Sequence, residues 1–186
     1  MVSFKKIFGR KKDEVEIDPL VDYSLGKMKV GFLVDYDLKT WQVTSTTDYD
    51  YDGFPAQEWE LRSKDDVRFL ERSEEDGGTE WTLTRRISLR EIEGDVPGTI
   101  LDDGEPPEVV AFDGIDFSAE ESSTGTRVVT GLDGESSEEE REFVSWSYGS
   151  ENGRVLFVVQ SGDRDFAAYE GEYVEEYQFT TILPNV

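Results

Sequence analysis

The chain is expected to be all-β: two similar small barrel-like or curved-sheet lobes, products of an internal duplication, packed as one unit. Three observations predict this. Short runs rich in aromatic and β-branched residues alternate with Gly, Pro and Asp turn chemistry. Those turns recur at intervals too short for βαβ units and suited to a sandwich or barrel. The order of features in residues 29–92 returns in residues 108–186.

Residues 1–28 stand apart as a basic N-terminal segment and linker. The first twelve residues carry five basic and no acidic side chains, whereas the rest of the chain sets 43 carboxylates against 14 basic residues, a balance of −29. Phe4, Ile7 and Phe8 share one face if the segment is helical, with Lys5, Lys6 and Lys11 around the sides and Arg10 and Lys12 nearby. That pattern is a small basic amphipathic element of the membrane-surface kind. The plainer alternative is an N-terminus that docks on its own acidic body.

Strands are expected at Lys29 to Tyr36, Lys39 to Tyr49, Gln57 to Ser63, Val67 to Ser73 and Thr79 to Arg86, which make the first lobe, 29–92. Asp52-Gly53-Phe54-Pro55 and Asp76-Gly77-Gly78 supply turns between them. Simple alternation places Trp41, Val43, Ser45 and Thr47 on one face, and Gln42, Thr44 and Thr46 on the other. Ile87 to Ile92 fits one helical turn, and the Pro- and Gly-rich stretch 93–107 reads as a connector. The second lobe, 108–186, has strands at Glu108 to Phe112, Ile115 to Glu121, Thr126 to Thr130, Glu142 to Tyr148, Arg154 to Gln160, Arg164 to Tyr169 and Tyr177 to Leu183. Between its third and fourth strands lies an acidic, Ser-rich loop, 131–140.

The halves can be laid over one another. An offset of 76 matches Val34, Tyr36, Asp37, Trp41 and Val43 with Val110, Phe112, Asp113, Phe117 and Ala119. An offset of 84 brings Glu58 and Trp59 onto Glu142 and Phe143; 86 brings Arg68, Phe69 and Leu70 onto Arg154, Val155 and Leu156; and 85 brings Glu80 and Trp81 onto Asp165 and Phe166.

Composition removes whole classes of chemistry. The chain has no Cys and no His, so thiolate catalysis, disulfides, Cys-type metal sites and the Ser-His-Asp arrangement are absent. Carboxylate, Lys and Tyr chemistry and oxygen-ligand cation sites survive. A net charge of −24 argues against nucleic acid as partner, because phosphate contacts need Lys and Arg. No apolar run approaches the roughly 18 residues of a spanning helix, and no signal peptide is visible. A cytoplasmic protein is expected, in peripheral contact with the inner membrane face.

No motif fixes a catalytic site, a metal or a cofactor, and none is expected. Asp48-Tyr49-Asp50-Tyr51-Asp52-Gly53 imitates the opening of a calcium loop, but Trp59 holds the position of the closing bidentate Glu. The six residues read better as a strand end with Asp toward water and a turn at Asp52-Gly53. Glycosidase-like carboxylate pairs can be drawn almost anywhere in so acidic a chain. Trp41, Trp59, Trp81, Trp146 and Phe166 read as core, while Tyr49, Tyr51 and Tyr148, near strand ends, are candidate binding-surface aromatics.

Several blocks are familiar. Phe4-Lys5-Lys6-Ile7-Phe8-Gly9, Leu25 with Lys29-Val30-Gly31, and Val34-Asp35-Tyr36-Asp37-Leu38-Lys39-Thr40-Trp41-Gln42-Val43 resemble an uncharacterised bacterial domain family. Glu58-Trp59-Glu60-Leu61, Phe69-Leu70-Glu71-Arg72 and Glu175-Glu176-Tyr177-Gln178-Phe179-Thr180-Thr181-Ile182-Leu183-Pro184 continue the resemblance. It is a domain of unknown function whose genes often lie beside phage-shock-like membrane-stress genes. The resemblance implies an all-β fold and no established site residues. The function expected is a non-enzymatic interaction or scaffolding module, accessory to a membrane-stress system and with a protein partner. The alternatives are a ligand- or cation-binding β domain and, third, a carboxylate-dependent hydrolase. If residues 1–12 make the membrane contact, the full chain co-sediments with anionic liposomes at low salt and a chain lacking them does not; equal behaviour of the two removes that role.

Overall fold

Side chains alternate along a strand, so every strand wall has two faces, and this chain builds on both. The computed structural model describes residues 23–75, 78–132 and 140–184. These form one antiparallel sheet of twelve strands with one short helix. The first half of the chain gives β1 (Leu33–Tyr36), β2 (Lys39–Tyr51), β3 (Phe54–Arg62), β4 (Val67–Glu75) and β5 (Gly78–Ile87). β6 (Ile92–Glu93) and α1 (Val96–Asp103) follow. The second half gives β7 (Val109–Phe112), β8 (Ile115–Gly131), β9 (Arg141–Gly149), β10 (Arg154–Gln160), β11 (Phe166–Tyr173) and β12 (Thr180–Leu183).

Hydrogen bonding runs β2-β3-β4-β5-β11-β10-β9-β8, and β8 returns to β2, which closes an eight-stranded barrel. The expected pair of lobes is therefore a single barrel to which each half of the chain contributes four consecutive strands. Two seams join the halves, β2–β8 and β5–β11. A glycine lies at each. A Cβ on Gly125 would collide with the Asp50 carbonyl, and one on Gly171 with that of Leu83, so the bare backbone is what lets the strands meet there.

Outside the barrel, β1 pairs with the first part of β2 and carries β12 on its other edge, while β7 pairs with the first part of β8 and carries β6. The strands β2 and β8 are long because each serves a hairpin first and the barrel afterwards. A bulge marks the change in both: the register shifts between Val43 and Ser45 and between Ala119 and Glu121. One extra residue inverts the pleat. Trp41 and Val43 consequently lie on the outer face with Trp59 and Leu61, whereas Thr47, Tyr49 and Tyr51 lie on the inner face with Glu58. Simple alternation had put Trp41, Val43, Ser45 and Thr47 together; the bulge separates them.

The apolar mass sits outside the wall in two clusters. In the first, Leu25, Met28, Val34 and Phe179 cover Trp41, Trp59, Leu61, Leu70, Trp81 and Leu83. Trp59 Nε1 donates to the Met28 carbonyl at 3.0 Å, which pins this cover to the barrel. In the second, Ile92, Val96, Ile100, Val110 and Phe112 cover Phe117, Trp146, Tyr148, Leu156 and Val158. Each fully buried large side chain contributes about 1.5–3 kcal/mol, so these two outer layers hold the fold together.

The stretch 93–107, expected to be a bare connector, holds α1. Its N-terminus is capped by the Asp95 carboxylate, which accepts from Gly98 N at 3.0 Å, and Gly104 ends it in the left-handed region (φ 79°). Val96 and Ile100 fix it to the second cluster. The helical turn expected around Ile87 to Ile92 is a 3-10 turn, Leu89–Glu91. The two runs read at Ile115 to Glu121 and Thr126 to Thr130 are one continuous strand, β8. At the tail, Glu176–Gln178 is a 3-10 turn and the strand begins only at Thr180. Residues 1–12 and most of the acidic loop lie outside the described residues.

Three two-residue hairpin turns need positive φ at both positions. They are Asp52-Gly53, Asp113-Gly114 and Asp37-Leu38, the last with φ 48° and 59°. Leu38 is fully exposed, so no packing offsets its left-handed backbone. Leu38→Gly is expected to raise stability by about 1 kcal/mol, read as a higher urea midpoint with an unchanged slope.

Candidate functional site: the barrel lumen

Beyond the bulges, the inner face carries few of the aliphatic side chains that fill small closed barrels. It encloses a cavity of about 830 Å³ lined by residues of all eight barrel strands. Four inner positions on β2, β3 and β4, Tyr49, Tyr51, Glu58 and Glu71, supply its central chemistry. Glu58 and Glu71 are direct cross-strand partners, so two carboxyls meet side by side on the inner face. Tyr49 Oη donates to Glu58 Oε1 at 3.3 Å, and Tyr51 Oη donates to Glu71 Oε2 at 3.2 Å. The two tyrosine rings stack at 5.5 Å, and Phe143 stands edge-on to both at 5.5 and 5.3 Å. Arg127, opposite Tyr49 across the β2–β8 seam, donates to Ser161 Oγ at 3.0 Å.

Burial governs the ionisation here. It pushes Glu58 up to about 8, helped by the neighbouring Glu71 charge and partly offset by the Tyr49 hydrogen bond and Arg127. It pushes Glu71 up to about 7, with the Tyr51 hydrogen bond opposing and Glu80 adding to the rise. The Tyr49 and Tyr51 hydroxyls are held protonated well above the ordinary tyrosine value, chiefly by the same burial.

The cavity reaches the barrel end where β2 turns into β3, where Asp52, Phe54, Glu120 and Glu121 contribute to its wall. The Thr124 hydroxyl donates to the Asp52 carboxylate and ties the mouth together across the seam.

A smaller cleft of about 430 Å³ lies outside the barrel, between the tips of the β1–β2 and β7–β8 hairpins. Most of its charges are mutually paired, Asp37 and Glu172 standing outside the ion pairs. Lys39 and Arg68 meet Asp66 at 3.5 and 3.2 Å, Arg154 meets Asp113 at 3.5 Å, and Glu170 is gripped by Arg154 (2.7 Å) and by Arg85. Burial raises the Glu170 carboxyl, but the two guanidiniums outweigh it and hold the group below the usual carboxylate range.

Of the aromatics singled out from the sequence, Tyr49 and Tyr51 line the lumen. Tyr148 does not: it is fully buried in the second outer cluster, its hydroxyl donating to the Pro107 carbonyl at 3.2 Å and pushed up to about 12 by burial. The basic residues of 1–12 fall outside the described residues. In the calcium-like run, Asp48 accepts from Gln57 Nε2 at 3.0 Å and Asp50 from Gly53 N at 2.5 Å. Among the described residues no group of three or more acidic side chains is arranged to hold a metal ion. Sequence reading missed Glu58, Glu71, Arg127 and Phe143. The available signal was a Glu beside Trp59 and another beside Leu70, in strands whose other face is core.

The comparisons support the resemblance to an uncharacterised bacterial domain family. The family model described as a domain of unknown function, DUF4178, matches residues 29–176. The chain belongs to this family. A relative named "Uncharacterized protein" from Aquifex aeolicus (strain VF5) is 26% identical over 180 residues, covering 97% of this chain and 96% of that protein. No solved structure matches the chain. Among the described residues no helix is long and apolar enough to cross a membrane.

The raised carboxyls set a pH dependence. A group that binds its proton more tightly when folded contributes stability below the unfolded carboxylate range and loses it as pH rises through the folded value. Stability is therefore expected to fall from roughly pH 5 to roughly pH 8, by on the order of a few kcal/mol. Glu58→Gln combined with Glu71→Gln should flatten this slope and leave the variant more stable than the wild type at the alkaline end, measured by urea unfolding across the range.

Proposed function

We propose that this domain is a non-enzymatic ligand-binding barrel that takes a small molecule into its lumen. The observation that carries the reading is the division of labour across the wall. The apolar side chains needed for folding lie outside, and the interior is left as a cavity of about 830 Å³ lined by tyrosines, carboxyls and hydroxyls. That volume falls within the range of about 300–1,000 Å³ typical of small-molecule sites. A barrel stabilised by its core alone would fill this space.

The same carboxyl pair is what a carboxylate-dependent hydrolase needs. Acid–base work, however, calls for two groups whose environments drive their ionisation apart. Here burial lifts both, to about 8 and about 7, which suits binding better. The basic segment 1–12 supports a compatible role at an anionic surface, where the expected membrane-stress function would place the barrel.

A duplication accounts best for the scaffold. Both halves read hairpin, bulged strand, three-strand meander, and their bulges stand 76 residues apart. Counted from the bulges, Trp59 corresponds to Trp146, not to Phe143, which faces the lumen. The site itself is not repeated: Tyr49, Tyr51, Glu58 and Glu71 answer to Gly125, Arg127, Ser145 and Val159.

The test is a thermal-shift panel of small cationic, neutral and anionic compounds against the wild type and against Ser145→Trp, which fills the lumen. Compounds that stabilise the wild type should lose their effect on Ser145→Trp. No stabilising compound, or stabilisers indifferent to the substitution, would overturn the reading.

A further inference from the structure

The lining of the lumen is unbalanced in charge. Seven carboxylates border it against one guanidinium, Arg127, and part of that guanidinium's donor capacity is taken by Ser161. Two of the seven, Glu58 and Glu71, sit side by side at the centre and, among the described residues, receive donors through Tyr49, Tyr51 and Thr47. This contrasts with Glu170 on the outer face, where two arginines compensate a single buried carboxylate. An ionised side-by-side pair inside a barrel is unfavourable until a proton or another cation joins it.

The neighbouring wall indicates what kind of cation. Bare metal ions need several oxygens at about 2.0–2.6 Å, and no such cluster is present among the described residues. Beside the carboxyls stand instead the stacked Tyr49 and Tyr51 rings and Phe143, with Phe157 and Val159 contributed by β10. Aromatic faces attract cations, and apolar side chains need an apolar partner. At the mouth, Asp52, Glu120 and Glu121 add negative potential along the entry path, which raises the local concentration of cations.

Resting on the lumen-binding reading above, we infer that the ligand is a small organic cation: a protonated amine on an apolar body, its ammonium donating to Glu58 and Glu71 and its carbon chain lying along the aromatic wall. An ammonium offers three donors, enough to bridge both carboxyls. Binding then displaces protons from the pair. The other ionisable groups lining the lumen around the pair are Tyr49 and Tyr51 on β2, Glu74 on β4, Glu80 on β5, Arg127 on β8 and Tyr169 and Tyr173 on β11; β9 and β10 present Phe143, Ser145, Ser147, Phe157 and Val159. Burial holds the Tyr49, Tyr51 and Tyr169 hydroxyls protonated above the ordinary tyrosine range, so the carboxyls release the protons.

Calorimetry at physiological salt with 1,8-diaminooctane, its neutral counterpart 1,8-octanediol and the dianion sebacate tests this. The diamine is expected to bind one per chain, at least about tenfold more tightly than the diol, with no heat from sebacate. Near neutral pH the heat should vary with the ionisation enthalpy of the buffer, reporting proton release. Glu58→Gln with Glu71→Gln should weaken the diamine at least about tenfold, whereas Glu172→Gln, an exposed acid outside the barrel, should leave it unchanged. Binding that disappears with salt, or that Glu172→Gln weakens as much, overturns the inference as mere attraction to an acidic protein. Diol or sebacate binding that Ser145→Trp abolishes overturns the ligand class while the lumen reading stands. Diamine binding that survives Ser145→Trp with Glu58 and Glu71 intact overturns both.

Discussion

The architecture depends on two inserted residues. A strand with unbroken alternation commits one parity of side chains to one face along its whole length. In β2 and β8 the bulges revoke that commitment part-way. Before the bulge each strand pairs with its hairpin and sends aromatic side chains to an outer core; after it the strand joins the other half of the barrel and the same parity turns inward. Without the inversion, Tyr49 and Tyr51 would face outward and leave the lumen without its aromatic wall. The hydrophobic layers, the closed wall and the polar interior all follow from this one geometric device.

The molecule also treats enclosed carboxylates in two opposite ways. Glu170 lies on the outer face of the β5–β11 seam, and its two guanidinium partners keep it ionised. It ties β11 to β5 and β10, and so helps to join the two halves of the chain. Among the described residues Glu58 and Glu71 accept hydrogen bonds from hydroxyls and no guanidinium is paired with them, although Arg127 lowers Glu58 from a distance, and they hold protons into the neutral range. A compensated charge serves as a fastener. A carboxyl pair without guanidinium partners is expensive for folding, and its place in a cavity is what motivates the binding proposal.

Much of the fold was legible in the residues because strands, turns and large aromatics follow local rules. Asp52-Gly53 lies in a turn, and all four tryptophans are buried. What escaped was non-local. Closure of the barrel depends on β8 meeting β2 and β11 meeting β5, far apart in sequence, and no pattern within a single strand announces such a pairing. The bulges were equally hidden, since one added residue leaves composition and alternation almost untouched while reversing what each side chain faces. That is why the offset of 84 matched Trp59 to Phe143, residues on opposite faces of the wall. Tyr49 and Tyr51 could be singled out as aromatics near a strand end, but Glu58 and Glu71 looked like two more acids in a chain crowded with them.

A last consequence concerns how this sheet ends. A closed barrel has no free rim of backbone donors and acceptors, and here the remaining borders belong to β6, two residues long, and β12, four. Such short margins offer little template for another chain to extend the sheet. Among the described residues, then, a protein partner would have to recognise this domain through its side chains, because the sheet offers it almost no free edge to join.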